Sequence, residues 1–400
     1  MDAAAPSILG ATLDAFVAAA KGAGIRREDA QTLYRRFHRS GAVDGARAWN
    51  DPVAPEAVGA PLPAWCEDGR RPVERVLVDG ETLKFTMRLH DGLETESVVI
   101  PMRHRDGTTT RTLCVSSQVG CAMGCRFCET AQMGLLRSLT PQEIVAQLHA
   151  ARFAVENPWG GPGARGFAIK NIVFMGMGEP MDNIESVIAA IRVLADKNAY
   201  AIPPANISVS TVGRTEGIRR LGELLCEHGF HRLNLAVSLN APNDQVRSEI
   251  MPINRSEPIA RLMEALHAFP KRRTAAICVE YVLIPGVNDA PEHCDEVCTL
   301  LRGLRCSLNV IPYNPRRDSP WPAPEEERVQ AFVQRAIANG QFCKRRGTKG
   351  RSAMAACGQL GNERIRRRRF TDAPEESVQI RLGGAPLSPR APRFPVAFVA

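Results

Sequence analysis

The sequence predicts an α/β fold: a parallel sheet that curls into a full or partial barrel, preceded by a small helical segment. Three observations predict it. From residue 112 onward, short apolar or β-branched runs are each followed by a segment of helical period, about six times over. Repeated strand-then-helix units build parallel sheets, and six or more of them can curl toward a barrel. The residues of unusual chemistry fall just after these runs, at the strand ends where such folds place their active sites.

Residues 1–90 read as an accessory domain, mostly helical, because LDAFVAAAKGAG and EDAQTLYRRFHRS both space their apolar residues at helical period. It ends in short alternating strands, LKFTMRL and ESVVIP, on either side of a turn at Asp91-Gly92, with the boundary expected between Leu83 and Pro101. The core, 91–362, carries the strand runs TLCVSS, NIVFMG, NISVSTV, LNLAVSL, ICVEYVLIP and SLNVIPY. Helices are expected over 140–155, 184–197, 215–228, 257–268, 290–302 and 325–339. The first opens with Thr140-Pro141-Gln142-Glu143, a capping box with proline at the first helical position, where its missing N–H costs nothing. After residue 362 the periodicity fails. RIRRRRF (364–370) is a basic run, and 363–400 is expected to be a mobile tail, either solvated or gripping RNA phosphates.

Composition excludes several classes. With 44% hydrophobic and 24% charged residues the chain is neither disordered nor fibrous. A formal charge of +8 and a pI near 9.0 favour an anionic partner such as nucleic acid. Twelve cysteines in 400 residues are too dilute for a disulfide scaffold, and their tight cluster points to a metal or redox site in a reducing compartment. Asp2 stands where a signal peptide would be basic, and no apolar run approaches the roughly 20 residues of a membrane helix. A cytoplasmic monomer is expected.

That cluster is CVSSQVGCAMGCRFC, with Cys121, Cys125 and Cys128 spaced C-x3-C-x2-C. Three thiolates can hold a four-iron cubane and leave one iron open to an outside ligand, which implies catalysis. A structural zinc site needs a fourth ligand, and no paired C-x2-C or H-x3-H follows at the expected distance. Cys114 is a candidate fourth ligand, though it belongs to the preceding strand run. For Cys66, Cys226, Cys278, Cys294, Cys298, Cys306 and Cys343 the reading is a buried, inert thiol.

With this loop the sequence resembles the radical S-adenosylmethionine enzymes, and more narrowly the RlmN and Cfr type of rRNA adenine methyltransferases. The likeness runs from about residue 80 to 362 and rests on TLCVSSQVGC, FMGMGEPMDN, VSTVG, LAVSL-x-A, EYVLIPGVND, PYNP and AACGQL. It implies a radical-SAM partial (β/α)6 barrel with a small N-terminal helical domain joined by short strands. It assigns Cys121, Cys125 and Cys128 to a [4Fe-4S] cluster whose open iron binds S-adenosylmethionine. Gly178, Glu179, Ser210, Ser238, Leu239, Asn240 and Asn314 match the positions that contact this cofactor.

The resemblance also implies a mechanism. Adenine's amidine carbons are electrophilic and cannot attack a sulfonium methyl, so a carbon radical is required. In relatives a cysteine near the C-terminus is first methylated. A second cofactor molecule then supplies a 5′-deoxyadenosyl radical that strips hydrogen from that methyl, and the methylene radical adds to the ring. Cys357 matches the methyl carrier and Cys114 the thiol that resolves the enzyme–RNA adduct, ending in a Cys114–Cys357 disulfide. Without the motif, both would read as core thiols. Glu96 matches the proton acceptor, with a solvated edge-strand carboxylate as the alternative.

C2 of an adenosine in large-subunit rRNA is the expected target, with C8 and tRNA as further options. The base must be unstacked to be reached, KRRGTKGR (344–351) is a candidate phosphate grip, and flavodoxin or ferredoxin is the expected electron donor.

Three places depart from the family pattern: ETAQ after Cys128 in place of ATGQ, Asn240 in place of histidine in Ser-Leu-Asn-Ala (238–241), and Arg351-Ser352 in place of an acidic pair before the carrier. Asparagine can still donate a hydrogen bond, so cofactor binding should survive. Two rivals stay open. One is another radical reaction on RNA, such as methylthiolation, which normally needs a second cysteine cluster. The other is a silent RNA-binding paralogue, which the loss of Cys114 or Cys357 would favour.

Overall fold

The computed structural model describes residues 7–41, 62–104, 106–270, 275–362, 381–382 and 385–386. The basic run 364–370, and with it nearly all of the expected tail, lies outside the described residues.

Helices α1 (Leu13–Gly22) and α2 (Arg27–Ser40) open the chain. In α2, Ala30, Leu33, Tyr34 and Phe37 recur at helical spacing and are buried on one face, which meets Leu13, Phe16, Val17 and Ala20 of α1. Gly41, in the left-handed region, ends α2 and donates its N–H to the carbonyl of Phe37. The pair docks on the body through Phe37, whose ring stacks 4.5 Å from His149.

The body is one sheet of ten strands. An antiparallel part comprises β1 (Val73–Asp79), β2 (Thr82–Arg88) and β3 (Glu94–Arg103), and β3 pairs antiparallel with β4 (Thr109–Val115). Beyond β4 follow, all parallel and in chain order, β7 (Ile169–Phe174), β8 (Ile207–Thr211), β9 (Asn234–Ser238), β10 (Ile277–Leu283), β11 (Cys306–Pro312) and β12 (Cys343–Arg345). A hairpin of β5 (Gln118–Gly120) and β6 (Leu135–Ser138) carries the cysteine loop and ends in the short helix α3 (Glu129–Gln132) within it.

The six strand runs read from sequence are β4 and β7 to β11. This sequential parallel order is that of a partial (β/α)6 barrel. Central strands are buried on both faces: Leu235, Ala236 and Val237 of β9 are all inaccessible.

Helices follow the strands as expected: α4 (Pro141–His149), α5 (Ile184–Ala195), α6 (Thr215–Cys226), α8 (Ile259–Ala268), α9 (Pro291–Leu300) and α10 (Glu326–Ala338). The capping box forms, with Glu143 N–H donating to Thr140 Oγ1 at 3.2 Å and Thr140 N–H to Glu143 at 3.0 Å. A π turn over Ala150–Ala154 extends α4.

Not foreseen were α7 (Asp244–Ile250), β1, β12 and the β5–β6 hairpin with α3. The first looks polar in sequence, β1 mixes charges with its valines, and the others are too short to show a period. Two of the seven thiols expected to be buried are not: Cys226 is exposed at the end of α6, and Cys278 on β10 is only half-buried. No helix among the described residues is long and apolar enough to cross a membrane.

Candidate active site

A cleft enclosing about 1030 Å³ of non-protein space, part of it open solvent, sits at the C-terminal ends of the parallel strands. Cys121, Cys125 and Cys128 form one wall, and Gly178, Glu179, Ser210, Ser238, Asn240 and Asn314 line the strand ends. Cys357 completes the lining from the far C-terminal segment. Three of the residues singled out in the sequence lie elsewhere: Leu239 is buried behind the strand ends, Cys114 is buried inside β4, and Glu96 is buried on β3.

The cysteine loop is held by its backbone. Gly120 has φ +76 and a Cβ there would lie 1.8 Å from the Gly134 carbonyl, so only glycine allows the turn into Cys121. Arg126 N–H donates to Ile250 O at 2.9 Å, and Arg316 Nε donates to Arg126 O at 2.7 Å. Burial pushes all three thiols up, and for Cys121 and Cys125 the neighbouring sulfur adds to the shift.

Three buried sulfurs on one wall suit a bound cation, whose charge would hold them as thiolates. Among the described residues no three His, Cys, Asp or Glu side chains converge on a single point. A cluster that gives each sulfur its own iron does not require them to.

Opposite the loop, the GMGEP turn follows β7. At Gly178, φ is +97 and a Cβ would come within 2.5 Å of Gln118. Glu179 is buried and accepts N–H bonds from Met181 (3.0 Å) and Val212 (2.9 Å), yet burial outweighs these and raises its carboxyl to about 7.

Ser210 Oγ donates to Glu280 at 3.2 Å, and Glu280 in turn accepts from Arg346 Nη1 at 2.7 Å. Asn240 sits at φ +57, a conformation asparagine tolerates; its Oδ1 accepts from Val282 N–H at 2.9 Å and its amide nitrogen lies 3.3 Å from Met251 Sδ. Asn314 Oδ1 accepts from Arg351 Nη2 at 3.2 Å, which sets one departure from the family pattern against a residue of the cleft wall. Another, Glu129, is buried and paired with Arg317 at 3.3 Å.

Sequence reasoning missed four charges turned into the fold, three of them buried and Arg346 half-buried. Arg247, fully inaccessible, donates to the carbonyls of Leu239 (3.0 Å), Ser238 (3.3 Å) and Val212, pinning the ends of β8 and β9; burial lowers its guanidinium to about 10. Glu280 and Arg346 form the ion pair under Ser210. The charge of Arg346 acts on both Cys357 and Cys114, and burial pushes Cys114 up to about 12 with further help from Cys357. Lys84 pairs with Glu96 at 3.1 Å. A lone arginine or lysine in a polar stretch gives no signal that it points inward. Of KRRGTKGR, Arg345 pairs with Glu326, Arg346 with Glu280, and Lys349 donates to the Pro101 carbonyl.

Comparison with known proteins places this geometry. Residues 115–297 match the Radical SAM superfamily. A probable dual-specificity RNA methyltransferase RlmN 1 of Protochlamydia amoebophila (strain UWE25) is 42% identical over 298 residues, covering 74% of this chain and 78% of the relative. A dual-specificity RNA methyltransferase RlmN of Anaeromyxobacter sp. (strain Fw109-5) is 44% identical over 293 residues, 73% of this chain and 74% of its own. Among solved structures, a radical SAM methyltransferase from Sphaerobacter thermophilus superposes with TM-score 0.75 at 35% identity, over 88% of this chain and 98% of its own. With relatives 42% and 44% identical over about three quarters of their own length, the chain belongs to the RlmN family of radical SAM RNA methyltransferases.

Proposed function

We propose that the protein methylates a ring carbon of an adenosine in RNA, C2 in large-subunit rRNA first, with C8 and tRNA as the other options, through S-methylation of Cys357. One observation carries this reading: Cys357 lines the same cleft as the three-thiol loop while Cys114 lies behind it within electrostatic reach. This supports reading Cys357 as the carrier and Cys114 as the resolving thiol.

When bound, a [4Fe-4S] cluster with S-adenosylmethionine supplies both the methyl group and the 5′-deoxyadenosyl radical. Cys121, Cys125 and Cys128 would hold the cluster. Glu179, Ser210, Ser238, Asn240 and Asn314 would orient the cofactor's polar groups, with Leu239 donating its N–H to Glu280 O and so fixing the turn that presents them. Cys357 accepts the methyl and carries it to the ring as an S–CH2 link, Glu96 takes the ring proton, and Cys114 attacks the Cys357 sulfur, so that the S–S bond forms as the S–CH2 bond breaks and the released carbon takes up a proton. Flavodoxin or ferredoxin is assigned as electron donor.

The test is mass spectrometry of rRNA and tRNA nucleosides from cells with and without the gene. Loss of 2-methyladenosine from the deletion strain is expected; loss of 8-methyladenosine instead would move the target to C8, and no change in either would defeat the reading. Cys357→Ala should abolish product while leaving the cluster, and Cys114→Ala should accumulate protein covalently joined to RNA.

A further inference from the structure

We propose that Lys84 and Glu96 form a buried clamp that positions the carrier segment by gripping its backbone on both sides of Cys357. The proposal builds on the carrier role just assigned to that cysteine, but its geometry is independent of it.

Strands β2 and β3 pair with Lys84 opposite Val98 and Thr86 opposite Glu96, so Lys84 and Glu96 are diagonal neighbours on one face. Both side chains are almost inaccessible, at 5% and 6% exposure, and their charged ends meet at 3.1 Å. Burying an ion pair among apolar strands seldom adds stability by itself, so its other contacts explain its place better than the pair alone.

Each partner makes one further bond. Lys84 Nζ donates to the carbonyl of Met354 at 3.1 Å, and Glu96 Oε2 accepts the N–H of Gly361 at 2.9 Å. The two grips stand three residues before and four residues after Cys357.

Local backbone fits these grips. Met354 has φ +49, an uncommon conformation for a side-chain-bearing residue, and its carbonyl is the one that meets the lysine. At Gly361 a Cβ would lie 3.1 Å from Glu129 Cγ, so a side chain there would press on α3.

Other bonds hold the segment to a different element: Glu129 N–H donates to Gly358 O and Thr130 Oγ1 to Leu360 O, each at 2.6 Å, both from α3. The segment therefore bridges the cluster helix and the antiparallel strands. In this arrangement β2 and β3 serve the cleft from behind, and Lys84 is a positioning residue that never touches substrate.

The experiment compares the full-length protein with the Lys84→Met/Glu96→Gln double variant, which leaves no unpaired buried charge, and with Lys84→Arg, which keeps the pair. Hydrogen–deuterium exchange is read in the protein without substrate, and Cys357 methylation in the reconstituted, reduced enzyme with S-adenosylmethionine. In the double variant, amides of 354–362 should exchange about tenfold faster while those of β8 and β9 stay protected. Cys357 methylation should fall in step, and Lys84→Arg should restore both.

Unchanged exchange over 354–362 would overturn the clamp, and so would faster exchange across the whole sheet, which would make the pair a support of the fold. If the exchange pattern appears as expected but Cys357 of the unaltered enzyme is never methylated, the carrier reading fails and the clamp stands.

Discussion

The N-terminal helices and the segment around Cys357 (354–362) lean on the same sheet but are attached in opposite ways. Helices α1 and α2 are fixed by rings: Phe16, Tyr34 and Phe37 are fully buried, Phe37 stacks on His149, and His38 meets Tyr200 edge-on at 4.9 Å. The Cys357 segment buries little of comparable size. It is held by separate polar bonds from β2, β3, α3 and the loop after β11, where Gln359 Nε2 donates to Pro315 O at 3.0 Å. Apolar burial is cooperative and is lost as a block, whereas single hydrogen bonds are worth about 1 kcal/mol each and can be given up in turn. One sheet thus carries a permanent attachment and a releasable one.

Removing a ring should break the first attachment without loosening the second. Phe37→Ala is expected to cost about 3–5 kcal/mol, because it empties a closed site between α2 and His149. Urea unfolding measures the loss, and exchange at 354–362 in the folded variant should match the parent.

Acid should act on the same side. Burial lowers His38 to about 4 and His149 well below its ordinary value, so in the fold both rings stay neutral where the unfolded chain would bind protons. Their stabilising contribution is complete above pH 6.5 and is lost as pH falls toward 4. For His38 alone the loss is on the order of 3 kcal/mol. Unfolding free energies from pH 7 to pH 4.5 for the parent and His38→Phe check this: the variant should show the shallower slope.

The smallest effect belongs to a single tether. Thr130→Val removes the hydroxyl that donates to Leu360 O and should cost about 1 kcal/mol, felt locally. Alkylation of Cys357 by iodoacetamide should speed up about fivefold with the unfolding midpoint nearly unchanged, if the tether is as independent as the comparison holds.

Much of this was legible in the sequence. The six strand runs and their helices could be read because parallel strands are continuous apolar runs and the helices between them keep a wide apolar face. The capping box at Thr140 announced its own boundary. The residues of the cleft were found by motif, since C-x3-C-x2-C and the glycines at 176 and 178 answer to local demands: at Gly176 a Cβ would come within 2.7 Å of the Val115 carbonyl.

What stayed hidden was the support behind that wall. Arg247, Glu280, Arg346 and Lys84 are charges turned inward, and their partners lie far away in sequence: Lys84 meets Met354 and Gly361's carboxylate partner only once β2, β3 and the C-terminal segment have come together. Nothing local marks them. The segment α7 was missed for the same reason, since DQVRSEI reads as polar surface until Arg247 is seen beneath the strand ends.

Cys357 follows the edge strand β12 by a leash of eleven residues, 346–356. Drawn out, such a leash has a contour length of about 36–40 Å, more than enough to travel across a cleft. Its reach is therefore rationed by anchorage points and not by length, so exchanging one anchor would change where the Cys357 thiol can go while the barrel itself is left alone.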